Sequence, residues 1–297
     1  MKRLATSDKI LIFTAFLLMG ILCLTILYPF WNLIVISFNT SADTARGGLT
    51  FFPRVFTLEN YAKVFADKRL VRAFGVTVSR TIITTVTSTL FTAIFAYGLS
   101  RRELKFRGIY AKFCTITMYL SAGLIPTYIL IQKLHLINSF WVYVIPNLFS
   151  VWNMIIFRSF FDNLPDGLIE AAKIDGAGEY KLFFRIVLPV SKPVVATLAL
   201  FTAVNQWNAW FDGAIYVNDP NLMPLPTLLR QIINTNAASQ LLAQMSGTAA
   251  EMMQDKMIST RSLSAATMMV SVIPIIVVYP FLQKYFASGV MLGSVKG

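Results

Sequence analysis

Residues 170–189 read Glu-Ala-Ala-Lys-Ile-Asp-Gly-Ala-Gly-Glu-Tyr-Lys-Leu-Phe-Phe-Arg-Ile-Val-Leu-Pro and separate two long apolar runs. A short helix is predicted before Gly176, and Gly176 and Gly178 favour a tight turn. Beyond the turn, four apolar side chains recur at spacings of three and four and so share one face of a second helix: Tyr180, Phe183, Phe184 and Val187. Pro189 is expected to end that helix. The stretch therefore predicts a helix–turn–helix with exposed aromatic side chains that another protein could bind.

The apolar runs on both sides indicate a polytopic membrane protein. Hydrophobic residues make up 56% of the 297 residues and charged residues only 13%, whereas soluble domains carry about 25% charged residues. We predict an all-α membrane protein with spans at about 10–38, 73–100, 109–131, 140–160, 192–216 and 263–281. Residues 1–9 form an N-terminal segment and 10–297 one transmembrane domain. An inner loop at 161–191 and a long outer loop at 217–262, helical at 228–233 and 237–255, complete the prediction.

Basic residues set the predicted orientation. Lys and Arg cluster in the short connection at 101–107, and short cytoplasmic loops are enriched in these residues. Both termini and the loop at 161–191 are therefore expected in the cytoplasm. The net charge of +12, which in a soluble protein would suggest nucleic-acid binding, is explained by such loops.

No motif in the sequence predicts an enzyme. The Gly-x-x-x-x-Gly-Lys-Ser/Thr loop that holds ATP phosphates is absent from the sequence. Cys23 and Cys114 lie inside apolar runs, and His135 has no Cys or His neighbour. Neither a metal site nor a disulfide is predicted from these residues, and no cofactor of the chain's own is expected.

Residues 170–189 also resemble the EAA loop of ABC importer permeases, and we call them the EAA segment. The matching positions are Glu170, Ala171, Ala172, Asp175, Gly176, Ala177, Phe183 and Pro189. The resemblance implies a type I ABC importer permease fold in which these residues form a cytoplasmic coupling helix on an ATPase. Phe183 and Phe184 would be anchors in the ATPase groove, or one of them would pack on the chain's own helices.

The same resemblance implies the partners and the location. A second, homologous permease, two copies of a P-loop ATPase that bind ATP and magnesium, and an extracellular or periplasmic solute-binding protein would assemble with this chain in a bacterial cell (inner) membrane. The sequence is most similar to sugar-uptake permeases of the maltose type. Residues 77–81, Thr-Val-Ser-Arg-Thr, and the tail at 289–297 are similar to the branch that imports larger oligosaccharides.

Polar residues inside predicted spans are candidates for the substrate path, because polar groups in lipid are costly. They are Asn205, Gln206, Trp207, Asn208 and Trp210 in the fifth span, Trp152 and Asn153 in the fourth, and Arg80 in the second. Tryptophan faces stack on sugar rings and amides bond hydroxyls, although amides also hold membrane helices together. Arg80 could meet an acidic substrate, form an internal ion pair or extend to the headgroups.

The predicted function is import of a sugar, in particular an oligosaccharide that could be acidic, driven by ATP hydrolysis on partner subunits. One alternative is an ABC permease for amino acids, peptides or metal ions. The other is a secondary transporter without an ATPase, which would predict inverted repeats or buried carboxylates. The sequence shows no such repeat, and Asp212 is the only acid near a predicted span.

Overall fold

The computed structural model describes residues 6–48, 51–245, 261–278 and 280. About 78% of the described residues are helical. The β pairing recorded among the described residues is a single antiparallel bridge between Asn39 and Phe56. The all-α prediction is therefore confirmed.

The helices follow one another with short connections. In chain order they are α1 (Thr6–Ser37), α2 (Ser41–Ala45), α3 (Glu59–Ala66), α4 (Lys68–Ser100), α5 (Arg107–Tyr119), α6 (Leu124–Lys133), α7 (Val151–Asp162), α8 (Asp166–Ile174), α9 (Glu179–Leu182), α10 (Leu188–Val190), α11 (Lys192–Asn208), α12 (Phe211–Tyr216), α13 (Leu225–Met245) and α14 (Arg261–Val278). Two 3₁₀ turns, Phe140–Tyr143 and Ile145–Asn147, precede α7.

Three straight helices are long and apolar enough to cross a membrane: α1, α4 and α14. Three bent pairs also pass that test when each is taken as one span. They are α5 with α6, bent by 116°, Phe140–Asn147 with α7, bent by 45°, and Glu179–Val190 with α11, bent by 82°. By length and composition the described residues therefore hold three to six candidate spans.

The span predicted at 109–131 is not one straight helix. The chain leaves the helix at Leu120 and re-enters it after Gly123, whose φ of 81° lies in the region that favours glycine. Pro126 then occupies the first turn of α6, where its missing N–H is tolerated. The break therefore has a local cause in the sequence.

The expectation that Pro189 ends the helix of the EAA segment was wrong. Helical structure continues through a π turn, Phe183–Val187, into α10, with Pro189 in the first turn of that short helix. Because the first turn needs no N–H donor and the π turn resets the hydrogen-bond register, the proline is accommodated. The chain bends only afterwards, at Ser191, before α11 begins.

The outer loop also differs from the prediction, because α13 is one helix where two were expected. Residues 234–236, Asn-Thr-Asn, lie inside it instead of forming a break. Asn and Thr are only modestly poorer helix formers than alanine, so a short run without Gly or Pro can stay helical. The remainder of the second predicted helix, 246–255, lies outside the described residues.

The chain divides into two compact units, Met1–Lys68 with Gln231–Val272 and Arg69–Arg230 with Ile273–Gly297. In the first, the fully buried amide of Asn39 donates to Asp43 Oδ2 at 3.0 Å and accepts from the Val55 N–H at 2.9 Å. Arg54 Nε also donates to Asp43 Oδ2, at 2.9 Å, and forms an ion pair with it. In the second, small residues of α4 pack against aromatic side chains of α7 and apolar residues of the EAA segment.

Candidate functional site

A recess of about 450 Å³ opens where the helical path breaks between α11 and α12. The break follows Asn208, because Ala209 is extended and α12 starts only at Phe211. The polar lining residues are Thr127, Asn147, Asn205, Asn208 and Asp212, and the aromatic ones are Trp210, Phe211 and Tyr216. The recess thus combines amides, one carboxylate and aromatic rings in one concave surface, which is the usual make-up of a small-ligand site.

Two of the amides are held in place by bonds to their own backbone. Asn208 Nδ2 donates to the Val204 carbonyl at 2.9 Å, and Asn147 Nδ2 donates to the Tyr143 carbonyl at 3.0 Å. An amide can donate two hydrogen bonds and accept two, so one internal bond orients the group without exhausting it. Fixed amides of this kind suit recognition of hydroxyl groups.

Arg80 lies outside the recess lining and is fully buried. Its Nη2 donates to Asp212 Oδ2 at 2.5 Å and to Gln206 Oε1 at 2.9 Å. Its Nη1 donates to Asp212 Oδ1 at 3.1 Å and to the Ala209 carbonyl at 3.2 Å. The guanidinium carbon lies 4.3 Å from the ring centroid of Tyr143. Arg80 therefore ties α4 to both sides of the helix break, and the internal ion pair is the arrangement that the structure shows.

The structure separates the other predicted substrate residues. Asn205 and Asn208 line the recess, whereas Gln206 is buried against Arg80. Asn153 is buried as well, and its Nδ2 donates to Thr202 Oγ1 at 3.2 Å, which joins α7 to α11. The expectation that Gln206 and Asn153 face a substrate path is not met in this structure, because both amides join helices.

Trp152 and Trp207 lie elsewhere too. Trp152 is 62% exposed, so it forms no pair with the buried Asn153. Trp207 lines a separate apolar groove beside α4, with its ring 5.9 Å from that of Phe74. Trp207 and its neighbours were grouped by sequence proximity, but successive residues of a helix point about 100° apart.

Trp210 was predicted beside the fifth-span amides, whereas Asn147 and Asp212 were not predicted as site residues. Asn147 follows Pro146, a signal that the helix is interrupted and that side chains there can turn inward. Trp210 is placed by contacts distant in sequence: Thr227 Oγ1 donates to its carbonyl at 2.7 Å, and the Arg230 guanidinium stacks 3.7 Å from its ring centroid. Such contacts leave no local pattern.

The EAA segment forms a second candidate site with a buried and an exposed face. Gly176, at φ 72°, makes the turn between α8 and α9. The apolar residues of the exposed face are Ile174 at 86%, Tyr180 at 83% and Phe184 at 46% exposure. Glu170, Ala171 and Asp175 are exposed beside them, Ala177 is half-buried and Ala172 is buried. The sequence had not singled out Ile174 as a contact residue.

Phe183 does not serve as a surface anchor in this structure. It is 3% exposed and its ring lies 5.1 Å from the ring of Tyr97 on α4. The π turn that begins at Phe183 directs this side chain inward while its neighbour Phe184 stays exposed. The alternative that one of the two aromatic residues packs on the chain's own helices is the one observed.

Charged groups connect the EAA segment to the connection after α4. Lys173 Nζ lies 2.8 Å from Glu103 Oε1 and 3.3 Å from Glu179 Oε1. The Lys173 hydrogen bond lowers the pKa of Glu103, and the same bond raises the pKa of Lys173. Tyr97 Oη donates to the other oxygen of Glu179, Oε2, at 2.5 Å. The carboxylate of Glu103 is therefore stabilised in its ionised form.

A family of transport proteins matches this chain. The family described as "Binding-protein-dependent transport system inner membrane component" matches residues 81–291. The chain belongs to this family. It is 39% identical over 278 residues to Protein LplC of Bacillus subtilis (strain 168), which covers 94% of this chain and 92% of the relative. It is 36% identical to the polygalacturonan/rhamnogalacturonan transport system permease protein YtcP of the same organism, over 97% of both chains.

A solved structure shares the fold along almost the whole chain. A bacterial ABC transporter involved in the import of the acidic polysaccharide alginate contains a chain that superimposes with a TM-score of 0.86 at 26% identity, covering 96% of this chain and 100% of that one. The type I permease fold is thereby confirmed. The chain is a multi-pass membrane permease of an ABC transport system and not an enzyme.

Proposed function

We propose that this permease moves an oligosaccharide into the cytoplasm. The observation that carries the proposal is the recess, where the amides of Asn147, Asn205 and Asn208 lie on the same surface as the ring of Trp210. Amides both donate to and accept from hydroxyl groups, and an aromatic face covers the apolar face of a sugar ring. A peptide or an amino acid would instead require groups for a charged amine and carboxylate.

The substrates named for the relatives support an oligosaccharide with uronate units. Polygalacturonan and alginate carry a carboxylate on their sugar rings, and arabinooligosaccharides are named for a more distant relative at 27% identity. Among the described residues that line the recess there is no Lys or Arg. The amides of the recess can therefore bind the hydroxyl groups of a sugar. A cation that binds its carboxylate must lie beside the recess.

Arg230 is the cation best placed for that carboxylate. It is exposed and stacks on Trp210, whose ring lines the recess. A guanidinium that stacks through its face keeps its N–H edges for a bidentate contact with a carboxylate. Arg80 is unsuited to this role in the present conformation because Asp212 already neutralises it.

The partners follow from the exposed face of the EAA segment. A second permease, two P-loop ATPases and a solute-binding protein complete the importer in this proposal, with both termini and the EAA segment on the cytoplasmic side. Ile174, Tyr180 and Phe184 would enter the ATPase groove, since these apolar side chains are exposed and Phe183 is not. Gly176 supplies the turn that presents them.

The experiment is uptake into proteoliposomes that contain the complete importer with its binding protein. Labelled oligogalacturonides and neutral oligosaccharides of equal length are compared. Asn205→Ala is expected to lower uptake of both, and Arg230→Gln to lower uptake of the acidic sugar selectively. A matched control is Arg46→Gln, which changes an exposed arginine of the first unit. Undiminished oligosaccharide uptake by Asn205→Ala, or transport of peptides in place of sugars, would contradict the proposal.

A further inference from the structure

Helix α4 makes two polar attachments at distant points, one to each candidate site. At one end Tyr97, which is 6% exposed, donates from Oη to Glu179 Oε2 at 2.5 Å and packs its ring on Phe183. The Arg101 guanidinium lies 4.6 Å from the centroid of the same ring. Tyr97 is therefore attached to the EAA segment by one hydrogen bond to a charged group and one aromatic contact.

At the other point the same helix holds the recess. Arg80 is fully buried and donates to Asp212, Gln206 and the Ala209 carbonyl. Asp212 lines the recess, and Ala209 marks the break between α11 and α12. A displacement of Arg80 must therefore displace the recess wall or break a buried ion pair, which is strongly unfavourable.

The helix between these two points is built to move as one piece. Residues 81–96 contain neither Gly nor Pro, and α4 is a continuous α-helix from Lys68 to Ser100. Sharp kinks in helices arise mainly at such residues or at π bulges, and this stretch contains neither. Tyr97 follows Arg80 by about seventeen helical steps, which at 1.5 Å per residue is about 26 Å. Ala93 and Ala96 are fully buried, so this part of α4 packs closely on its neighbours.

We propose that α4 transmits movement of the EAA segment to the substrate recess, with Tyr97 and Arg80 as positioning residues at two points along the helix. This inference rests on the proposed function, because the EAA segment must be the part that the ATPases move. When the EAA segment shifts, the Tyr97–Glu179 bond carries α4 with it, and the Arg80–Asp212 pair shifts the break that shapes the recess. Neither residue needs to touch nucleotide or sugar.

The test uses a spin label in the recess of the complete importer. Position 205 is labelled after Asn205→Cys, in a chain with Cys23→Ser and Cys114→Ala. Label mobility is recorded before and after a non-hydrolysable ATP analogue with magnesium. In the chain that keeps Tyr97, label mobility is expected to change when the nucleotide analogue binds. Tyr97→Phe is expected to reduce this change about three- to tenfold, which is the effect expected from losing one partly exposed hydrogen bond to a charged group. Phenylalanine preserves the ring contact with Phe183, so folding is maintained.

Two further variants separate transmission from a local effect. Tyr119→Phe removes the hydroxyl of an exposed tyrosine on α5 and is expected to leave the label response unchanged. Glu179→Ala removes the acceptor of the Tyr97 bond together with the Lys173 contact, and it is expected to reduce the response at least as much as Tyr97→Phe does. Combining the two substitutions is expected to add little, because the Tyr97–Glu179 bond is already lost in each single variant. Nucleotide affinity is measured in parallel and is expected to stay the same in all variants.

The outcomes are distinct. An unchanged label response in Tyr97→Phe, or no response in the chain with Tyr97, would overturn the role of α4. If Tyr97→Phe loses both the label response and nucleotide affinity, the effect lies at the ATPase contact, and this result would also overturn the role of α4. The label responds to nucleotide without sugar, so a failure of the proposed substrate would appear only as absent uptake, with the label response intact.

Discussion

Replacing Asp212 by asparagine tests how much the fold depends on the ion pair behind the recess. The Arg80 side chain is 0% exposed and that of Asp212 is 19% exposed. Asparagine retains one oxygen but turns an NH₂ donor toward the guanidinium, so a buried cation loses its counter-charge. Removing one partner of a buried ion pair costs about 3–5 kcal/mol. Because Gln206 and the Ala209 carbonyl still accept and Asp212 is partly solvated, we expect about 3 kcal/mol.

The measurement is the melting temperature of the purified chain in detergent, read from the fraction that stays monodisperse after heating. A loss of about 3 kcal/mol corresponds to roughly 5 °C for a chain of 297 residues. Glu59→Gln is the matched control, since it breaks an exposed ion pair, Lys63–Glu59 at 2.8 Å. An exposed pair contributes about 0–1 kcal/mol, so the control should shift the melting temperature far less.

The double variant Arg80→Met with Asp212→Leu completes the test. Replacing both members of a buried pair by apolar residues is often neutral or stabilising. We therefore expect the double variant to recover most of the stability that Asp212→Asn loses. If Asp212→Asn melts no lower than Glu59→Gln, or if the double variant melts below both, the buried pair does not stabilise the fold as described.

Gly213→Ala should lower stability by about 1–3 kcal/mol, the range for overpacking, because the added Cβ would meet a hydroxyl at 2.5 Å and a proline ring atom at 2.8 Å. Tyr180→Ala should reduce co-purification of the ATPase without lowering the melting temperature, whereas Phe183→Ala should lower the melting temperature by removing a buried ring. The stabilising effect of the Glu103–Lys173 pair, measured as the wild-type minus Glu103→Gln difference in melting temperature, should be constant near neutral pH. It should disappear as the pH falls through the lowered pKa of Glu103 and as it rises through the raised pKa of Lys173.

Each of these three predictions has a control or a result that would contradict it. Gly75→Ala adds a Cβ that meets no atom within 4 Å, so it should not destabilise α4, and equal losses at both glycines would contradict the packing explanation. Loss of ATPase binding in Phe183→Ala at a temperature where the variant is folded would contradict its assignment to the core. If the contribution of the Glu103–Lys173 pair to the melting temperature varies between pH 6 and pH 8, other titrating groups determine it.

Much of the fold could be predicted because its signals are local. Apolar runs predicted six spans, and within the described part of the chain three single helices and three bent helix pairs are long and apolar enough to cross a membrane. Gly176 predicted the turn of the EAA segment, because its positive φ is a backbone conformation that favours glycine. Helix continuity was harder to predict. The π turn accommodates Pro189 and one helix bridges residues 234–236, because packing and register outweigh the local preferences of single residues.

The recess was only partly predictable. The cluster at 205–208 drew attention to the correct part of the chain, but its members point in different directions. Asn205 and Asn208 reach the recess because they are three residues apart on one helix face. Gln206 reaches Arg80 instead, and the partnership of Arg80 with Asp212 spans 132 positions of sequence. A single sequence holds no signal for such a pair beyond the presence of one cation and one acid in apolar surroundings.

The break between α5 and α6 has a consequence for the surroundings of the molecule. Residues 120–123 leave the helix in the middle of a hydrophobic stretch, and Leu120 is 70% exposed. Carbonyl and amide groups outside a helix are not tolerated against hydrocarbon chains, because nothing there can hydrogen-bond to them. This connector is stable only where water or another polypeptide covers it. If α5 and α6 together form one span, we therefore expect lipid to be excluded from this connector.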